Sequence, residues 1–269
     1  MSKALGDYSI FNTWSGKARS WGPDGSWRAW FGGNVIDGLC QILDEHLAAP
    51  RSRRLEAQPA VVGCVPWFTS NAVQDRLVRT GCCCIVIDKG AAKRPDRLIA
   101  EGRGLPNVLR CLHMTVPDGE GPTLLGPYSE LPVHSLGPVR LAGWRRAESG
   151  RVKPLLHTKI LVLGEVAWYH IGPDDVMYRE EFGFRAESVW WGSANWTDGS
   201  RSHLEMGTFS SDPALVDEAL RFVSQVVEFS EPIGSGFSQP EPNLVPVNFD
   251  DDAMWEAYEE YRLEEPHDE

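Results

Sequence analysis

The 269-residue sequence contains no apolar run of the roughly 20 residues that a membrane-spanning helix needs. Its longest charge-free stretch, Ala57 to Gln74, is broken by Pro59, Pro66 and Asn71. No stable membrane insertion is therefore expected. Met1 to Trp14 lacks the basic-then-apolar order of a secretory leader, so the expected compartment is the cytoplasm. There is no C-x-x-C pair, which removes the common zinc signatures, and no metal ligand set is expected. Cys82, Cys83 and Cys84 are adjacent and lead into Ile85-Val86-Ile87. Consecutive strand residues face opposite ways, so the triplet reads as small hydrophobes in a buried strand rather than as a chelate or disulfide. No internal repeat recurs at a fixed period.

Positive charge is also scarce overall, with 26 Lys and Arg against 38 Asp and Glu. The deficit is local. Residues 250 to 269 hold ten acids and one base, Arg262, so the rest of the chain is near neutral with an acidic tail attached. Within the body, Arg140, Arg145, Arg146, Arg151 and Lys153 stand against a single acid, Glu148.

Composition is that of an ordinary globular chain, and the order of its elements is that of an α/β fold. Residues 1–33 form a Trp- and Gly-rich segment of irregular structure or short hairpins, with Trp14, Trp21, Trp27 and Trp30. Asn34 is the expected N-cap of a helix reaching about Leu47. Ala60 to Val65 reads as a buried strand, Asn71 to about Thr80 as a helix and Cys82 to Asp88 as the next strand. A strand–helix–strand unit of this kind belongs to a sheet with helical crossovers. Further strands are expected at Val108–Met114, Val139–Trp144, Leu155–Leu163, Ser188–Trp191 and Leu204–Phe209. Pro213 to Phe229 is an amphipathic helix with Leu215, Ala219, Phe222, Val223 and Val226 on one face. The main domain thus spans 34–232, followed by a Pro- and Gly-rich linker at 233–249 and the acidic tail at 250–269. In that tail Trp255, Tyr258 and Tyr261 recur at helical spacing.

The chemistry concentrates in two places. His157 and Lys159, two apart in Leu155–Leu163, point to one face of an extended segment. Downstream, Val189-Trp190-Trp191 runs into Gly192-Ser193-Ala194-Asn195, and Glu205 follows. Lysine supplies charge to a phosphate, Ser and Asn hydrogen-bond its non-bridging oxygens, and an imidazole attacks phosphorus. A carboxylate on the other ring nitrogen raises the nucleophilicity of the imidazole. Either pattern alone is a local accident. The two in order, each after an apolar strand and followed by Glu205, point to phosphoryl chemistry.

These residues resemble the phospholipase D superfamily, whose motif is H-x-K-x4-D-x6-G-S-x-N. His157, Lys159, Gly192, Ser193 and Asn195 match it, and Glu205 resembles the acid beyond the Asn. The resemblance covers about Leu155 to Phe209. It implies a mixed, mostly parallel β-sheet flanked by helices, and a phosphodiesterase that works through a phosphohistidine and needs no cofactor. Two departures stand out. The position of the motif Asp is Gly164, with Glu165 next as the candidate substitute. The 32 residues between Lys159 and Gly192 far exceed the motif spacing, so Glu165 to Glu187 reads as a hairpin insertion between the H-x-K strand and the G-S-x-N turn.

The family reaction uses two histidines, one attacking phosphorus and one protonating the leaving oxygen. Of seven histidines here, only His157 has a lysine two residues on. Single-motif members pair two copies, so the resemblance implies a homodimer with one shared site and a coupled, bell-shaped pH profile. Nucleic acid is the expected substrate and partner. Arg145, Arg146, Arg151 and Lys153 would track a phosphodiester backbone, and Trp144 would stack on a base. Competing readings are a phospholipid hydrolase or phosphatidyl transferase, and a non-catalytic scaffold with the same fold.

Overall fold

The computed structural model describes residues 19–21, 26–88, 91, 93–106, 136–142, 156–171, 179–228 and 230–233. These residues form one mixed sheet of nine strands with helices on both faces. In chain order the strands are β1 (Arg19–Trp21), β2 (Trp27–Phe31), β3 (Gln58–Cys64), β4 (Cys82–Asp88), β5 (Val139–Ala142), β6 (Ile160–Ile171), β7 (Arg179–Gly192), β8 (Met206–Ser210) and β9 (Glu231–Pro232). Their order across the sheet is β1-β2-β8-β7-β6-β3-β4-β5-β9.

The α/β class and the mixed sheet are as expected, but the sheet is not mostly parallel. Only β3–β4 and β4–β5 are parallel, and the other neighbouring pairs are antiparallel. The reason is connectivity. Parallel neighbours need a crossover, and a helix supplies one between β3 and β4, whereas β6 returns directly as β7. That long hairpin is the insertion expected at Glu165 to Glu187, here continuous with the sheet rather than appended to it. The segment 1–33 is likewise no separate layer where it is described. β2 pairs along its length with β8, Phe31 opposite Met206 and Trp27 opposite Ser210, so a boundary at residue 34 cuts through the sheet.

Two apolar layers enclose the sheet. On one face α1 (Val35–Ala48) and α2 (Asn71–Arg79), with α3 (Asp96–Glu101) beside α2, cover Val61, Cys83, Ile85, Ile87, Leu161 and Leu163. On the other, α4 (Pro213–Glu228) covers Val62, Cys84, Val86, Val162 and Val189. Every residue of β4 is buried, which explains why its sequence is a continuous apolar run rather than an alternation. Burial pushes the three adjacent thiols far above their usual range, so they pack as inert hydrophobes. The entry to α1 differs from expectation. Gly32–Asn34 forms a tight 3-10 turn leading into the helix, and the Asn34 side chain makes no capping bond. The expected strand at Val108–Met114, most of the linker and the acidic tail lie outside the described residues.

Candidate active site

Pairing directions bring the C-terminal ends of β2, β7, β3, β4 and β5 to one end of the sheet, together with the N-terminal ends of β6 and β8. Residues on either side of those ends come together there, as is common for sites in α/β sheets. His157 and Lys159 lie just before β6, which begins at Ile160 rather than at Leu155. The buried Asp88, at the end of β4, accepts a 3.3 Å hydrogen bond from the Leu156 amide. The Gly192 amide donates to the Lys159 carbonyl at 3.1 Å. The segment is thus held from both sides while His157 itself stays exposed.

Lys159 is 6% exposed, and its Nζ donates to the His157 carbonyl at 2.8 Å. Burial lowers its pKa below the usual lysine value, and the negative charge of Glu205 works in the opposite direction. Gly192 has a strict reason to be glycine: a Cβ there would stand 2.3 Å from the Met206 carbonyl oxygen. That close approach lets Ser193 bridge the base of the loop to β8. Its amide donates to the Met206 carbonyl at 2.9 Å, and its Oγ accepts from the Met206 amide at 3.0 Å while donating to Glu205 Oε2. Glu205 Oε1 lies 3.8 Å from His203 Nδ1. Within one chain Glu205 is therefore committed to Ser193 and faces His203, not His157.

Asn195 sits in the same loop, which is pinned to the connection between β3 and α2. The Trp196 carbonyl accepts from the Thr69 and Ser70 amides at 3.0 and 2.9 Å, and Ser70 Oγ donates to Asp198 at 2.9 Å. The Trp196 ring is buried edge-on against Phe68, with centroids 5.3 Å apart. Asn195 Oδ1 is buried and has no hydrogen-bond partner among the described residues. An unsatisfied buried amide at a held position is costly unless something binds it.

His157, Lys159 and Ser193 open onto one cavity of about 600 Å³ between β7 and α4. Asn195 and Glu205 lie outside its lining. Its remaining wall holds residues to which the sequence assigned no role in the site, namely Trp191 on β7 and Leu215, Glu218 and Phe222 on α4. Phe222 was expected on the packed face of the helix, but it is 42% exposed at the cavity while Val223 fills the core position. Trp191 had a legible signal, since strand alternation turns it opposite to the buried Trp190.

Glu165 does not line the cavity. It is buried six residues along β6 from Lys159, where it accepts from the Ser52 amide at 3.1 Å and pairs with Arg54 at 3.7 Å. Burial alone would raise its pKa, but hydrogen bonding from Ser52 and the charges of Arg54 and Arg51 outweigh it and lower the value. Nor does Arg140 join a basic surface. It is buried in β5, donating to the Ser230 hydroxyl and carbonyl at 2.6 Å each. Trp144, Arg145, Arg146, Arg151 and Lys153 lie outside the described residues. The residues that flank that segment, Ala142 and Leu156, both stand at the site end of the sheet.

No protein-family model and no curated protein matches the chain. Solved structures do. The chain is similar in fold to NucT from Helicobacter pylori, at 13% identity over 77% of this chain and 98% of that one, with a TM-score of 0.44. It is similar to Nuc from Salmonella typhimurium, a phospholipase D family member, at 13% identity over 78% and 99% of the two chains, with a TM-score of 0.40. Polyphosphate kinase from Porphyromonas gingivalis matches at 9% identity over 77% of this chain and 27% of that one, with a TM-score of 0.41.

Proposed function

We propose that this chain is a phospholipase D-like phosphodiesterase that cleaves nucleic-acid phosphodiesters through a phosphohistidine, at a site shared by two copies. The observation that carries the reading is the convergence of His157, Lys159 and Ser193 on one cavity, with Glu205 held behind Ser193. In this mechanism Lys159, at the cavity wall, holds the non-bridging oxygens. The exposed His157 ring attacks phosphorus. A P–N bond forms as the P–O bond to the leaving group breaks, and a second imidazole gives that oxygen its proton. The same imidazole, now neutral, takes a proton from water as it attacks the phosphohistidine, which releases His157.

The second imidazole is assigned to His157 of another copy. Glu205 makes no hydrogen bond or ion pair with His157 in its own chain, and no described residue hydrogen-bonds the His157 ring. Phe31, Leu204 and Met206 surround Glu205 with exposed apolar surface of the kind that dimer interfaces cover. Nucleic acid is favoured by the run Arg145, Arg146, Arg151 and Lys153 in the sequence that precedes His157.

The test is hydrolysis of bis(p-nitrophenyl) phosphate in excess EDTA. His157→Ala should lower the rate by at least about a thousandfold, as loss of a nucleophile does. Because His157 is exposed, its thermal midpoint should not move. Activity that persists in the variant would remove His157 from the mechanism.

A further inference from the structure

The cavity's lining holds two chemically distinct sets of residues. One is His157, Lys159 and Ser193, and the other is an aromatic wall with a single carboxylate, formed by Trp191, Phe222 and Glu218. We infer that this wall seats the nucleobase next to the scissile phosphate and favours bases that carry an exocyclic amine. The inference rests on the phosphodiesterase reading and names the part of the substrate that reading leaves open.

Three features select a base. First, the rings are presented rather than packed away. Phe222 is 42% exposed at the cavity, and Trp191 is steadied edge-on by Trp27, with centroids 5.7 Å apart and planes at 88°. A flat heterocycle covers such faces by stacking, without needing a particular sequence. Second, no described residue hydrogen-bonds or pairs with Glu218, so its carboxylate is free to accept from a ligand. An amine on cytosine, adenine or guanine offers that donor. The lone N–H of thymine lies between two carbonyl oxygens that a carboxylate repels. Third, about 600 Å³ falls within the range of sites for single small ligands. Acyl chains would leave Glu218 desolvated against hydrocarbon, which is unfavourable.

Calorimetric binding of deoxycytidine 5′-phosphate, thymidine 5′-phosphate and 2-deoxyribose 5-phosphate to the full chain tests this directly. The cytosine nucleotide should bind about tenfold more tightly than the thymine nucleotide, and both should bind more tightly than the sugar phosphate. Phe222→Ala should weaken both nucleotides about tenfold and leave the sugar phosphate within about twofold, and Phe222→Tyr should restore them. Glu218→Gln should bring the two nucleotides to within about threefold of each other, because an amide accepts and donates. Equal binding of sugar phosphate and nucleotides, or indifference to Phe222→Ala, overturns the inference. So does Phe222-dependent binding of dihexanoyl phosphatidylcholine without nucleotide binding, which would assign the wall to lipid. Hydrolysis in EDTA is measured alongside. Base-dependent binding without hydrolysis removes the reaction and keeps the base site. Hydrolysis without base-dependent binding removes the base site alone.

Discussion

His46 shows how one buried side chain sets a pH limit on the fold. It lies on the inner side of α1, only 8% exposed, and Arg51 donates to its carbonyl. Burial first, and the charge of Arg51 second, hold its imidazole down at about 4, against an ordinary value of 6.5. Hydrogen bonding to the Ala60 and Gly164 backbone, and then the charge of Glu165, pull the other way. Because the folded value is the lower one, the unfolded chain takes up a proton first as pH falls. The stabilising contribution of neutral His46 is therefore complete above about pH 6.5 and is lost progressively between about 6.5 and 4. The gap corresponds to about 3 kcal/mol. Urea unfolding at pH 7 and pH 4.5 should show the wild type losing about 2 kcal/mol more than His46→Leu over that interval. Parallel losses in the two proteins would assign the acid sensitivity to other groups.

At the scale of an element, the missing motif Asp has a structural cause in the β6–β7 hairpin. The ladder shifts register between Leu163 and Gly164, and a Cβ on residue 164 would stand 2.0 Å from the Arg185 carbonyl oxygen. The bulge admits only glycine, so no side chain can be placed there while the hairpin keeps its register. The bulge accompanies a Glu165 that ties the connection before β3 to the sheet through Ser52 and Arg54. Restoring the motif by Gly164→Asp should therefore harm the protein rather than improve it. The expected result is a loss of about 2–3 kcal/mol in denaturant unfolding with no gain in kcat. A variant as stable as the wild type and more active would show that the position belongs to the catalytic apparatus.

At the scale of the whole molecule, the proposed reaction needs two imidazoles, and each chain holds one motif histidine. Its Glu205 is bonded to Ser193, beside exposed Phe31, Leu204 and Met206. Leu204 is 50% exposed and belongs to neither core cluster, so Leu204→Glu should leave the fold intact while placing charge on that surface. In sedimentation equilibrium the wild type should run as a dimer and the variant as a monomer. EDTA-resistant hydrolysis should fall at least about a hundredfold in the variant, because the proton donor is lost with the partner. The wild type should also give a bell-shaped pH–rate profile from its two coupled imidazoles. A fully active monomer would place both histidines in one chain, with His203 the first to examine.

The elements and the candidate site residues were legible in the sequence, because both are written locally. Helical spacing marked α1 and α4, apolar runs marked β3 and β4, and H-x-K with G-S-x-N singled out His157, Lys159, Ser193 and Asn195. A motif legible in this way depends on residues a few positions apart in chemically specific types. What pairs with what is decided by long-range packing, and only the tertiary structure held it. The sheet is largely antiparallel because β2, β6, β7 and β8 return beside one another, a choice that local periodicity does not encode. Arg140 left the basic run because β5 is covered on both faces and Ser230 was there to receive its guanidinium. Phe222 left the core for the cavity because α4 meets β7 beside the site, so that one more residue of an amphipathic face lies over open space rather than over the sheet.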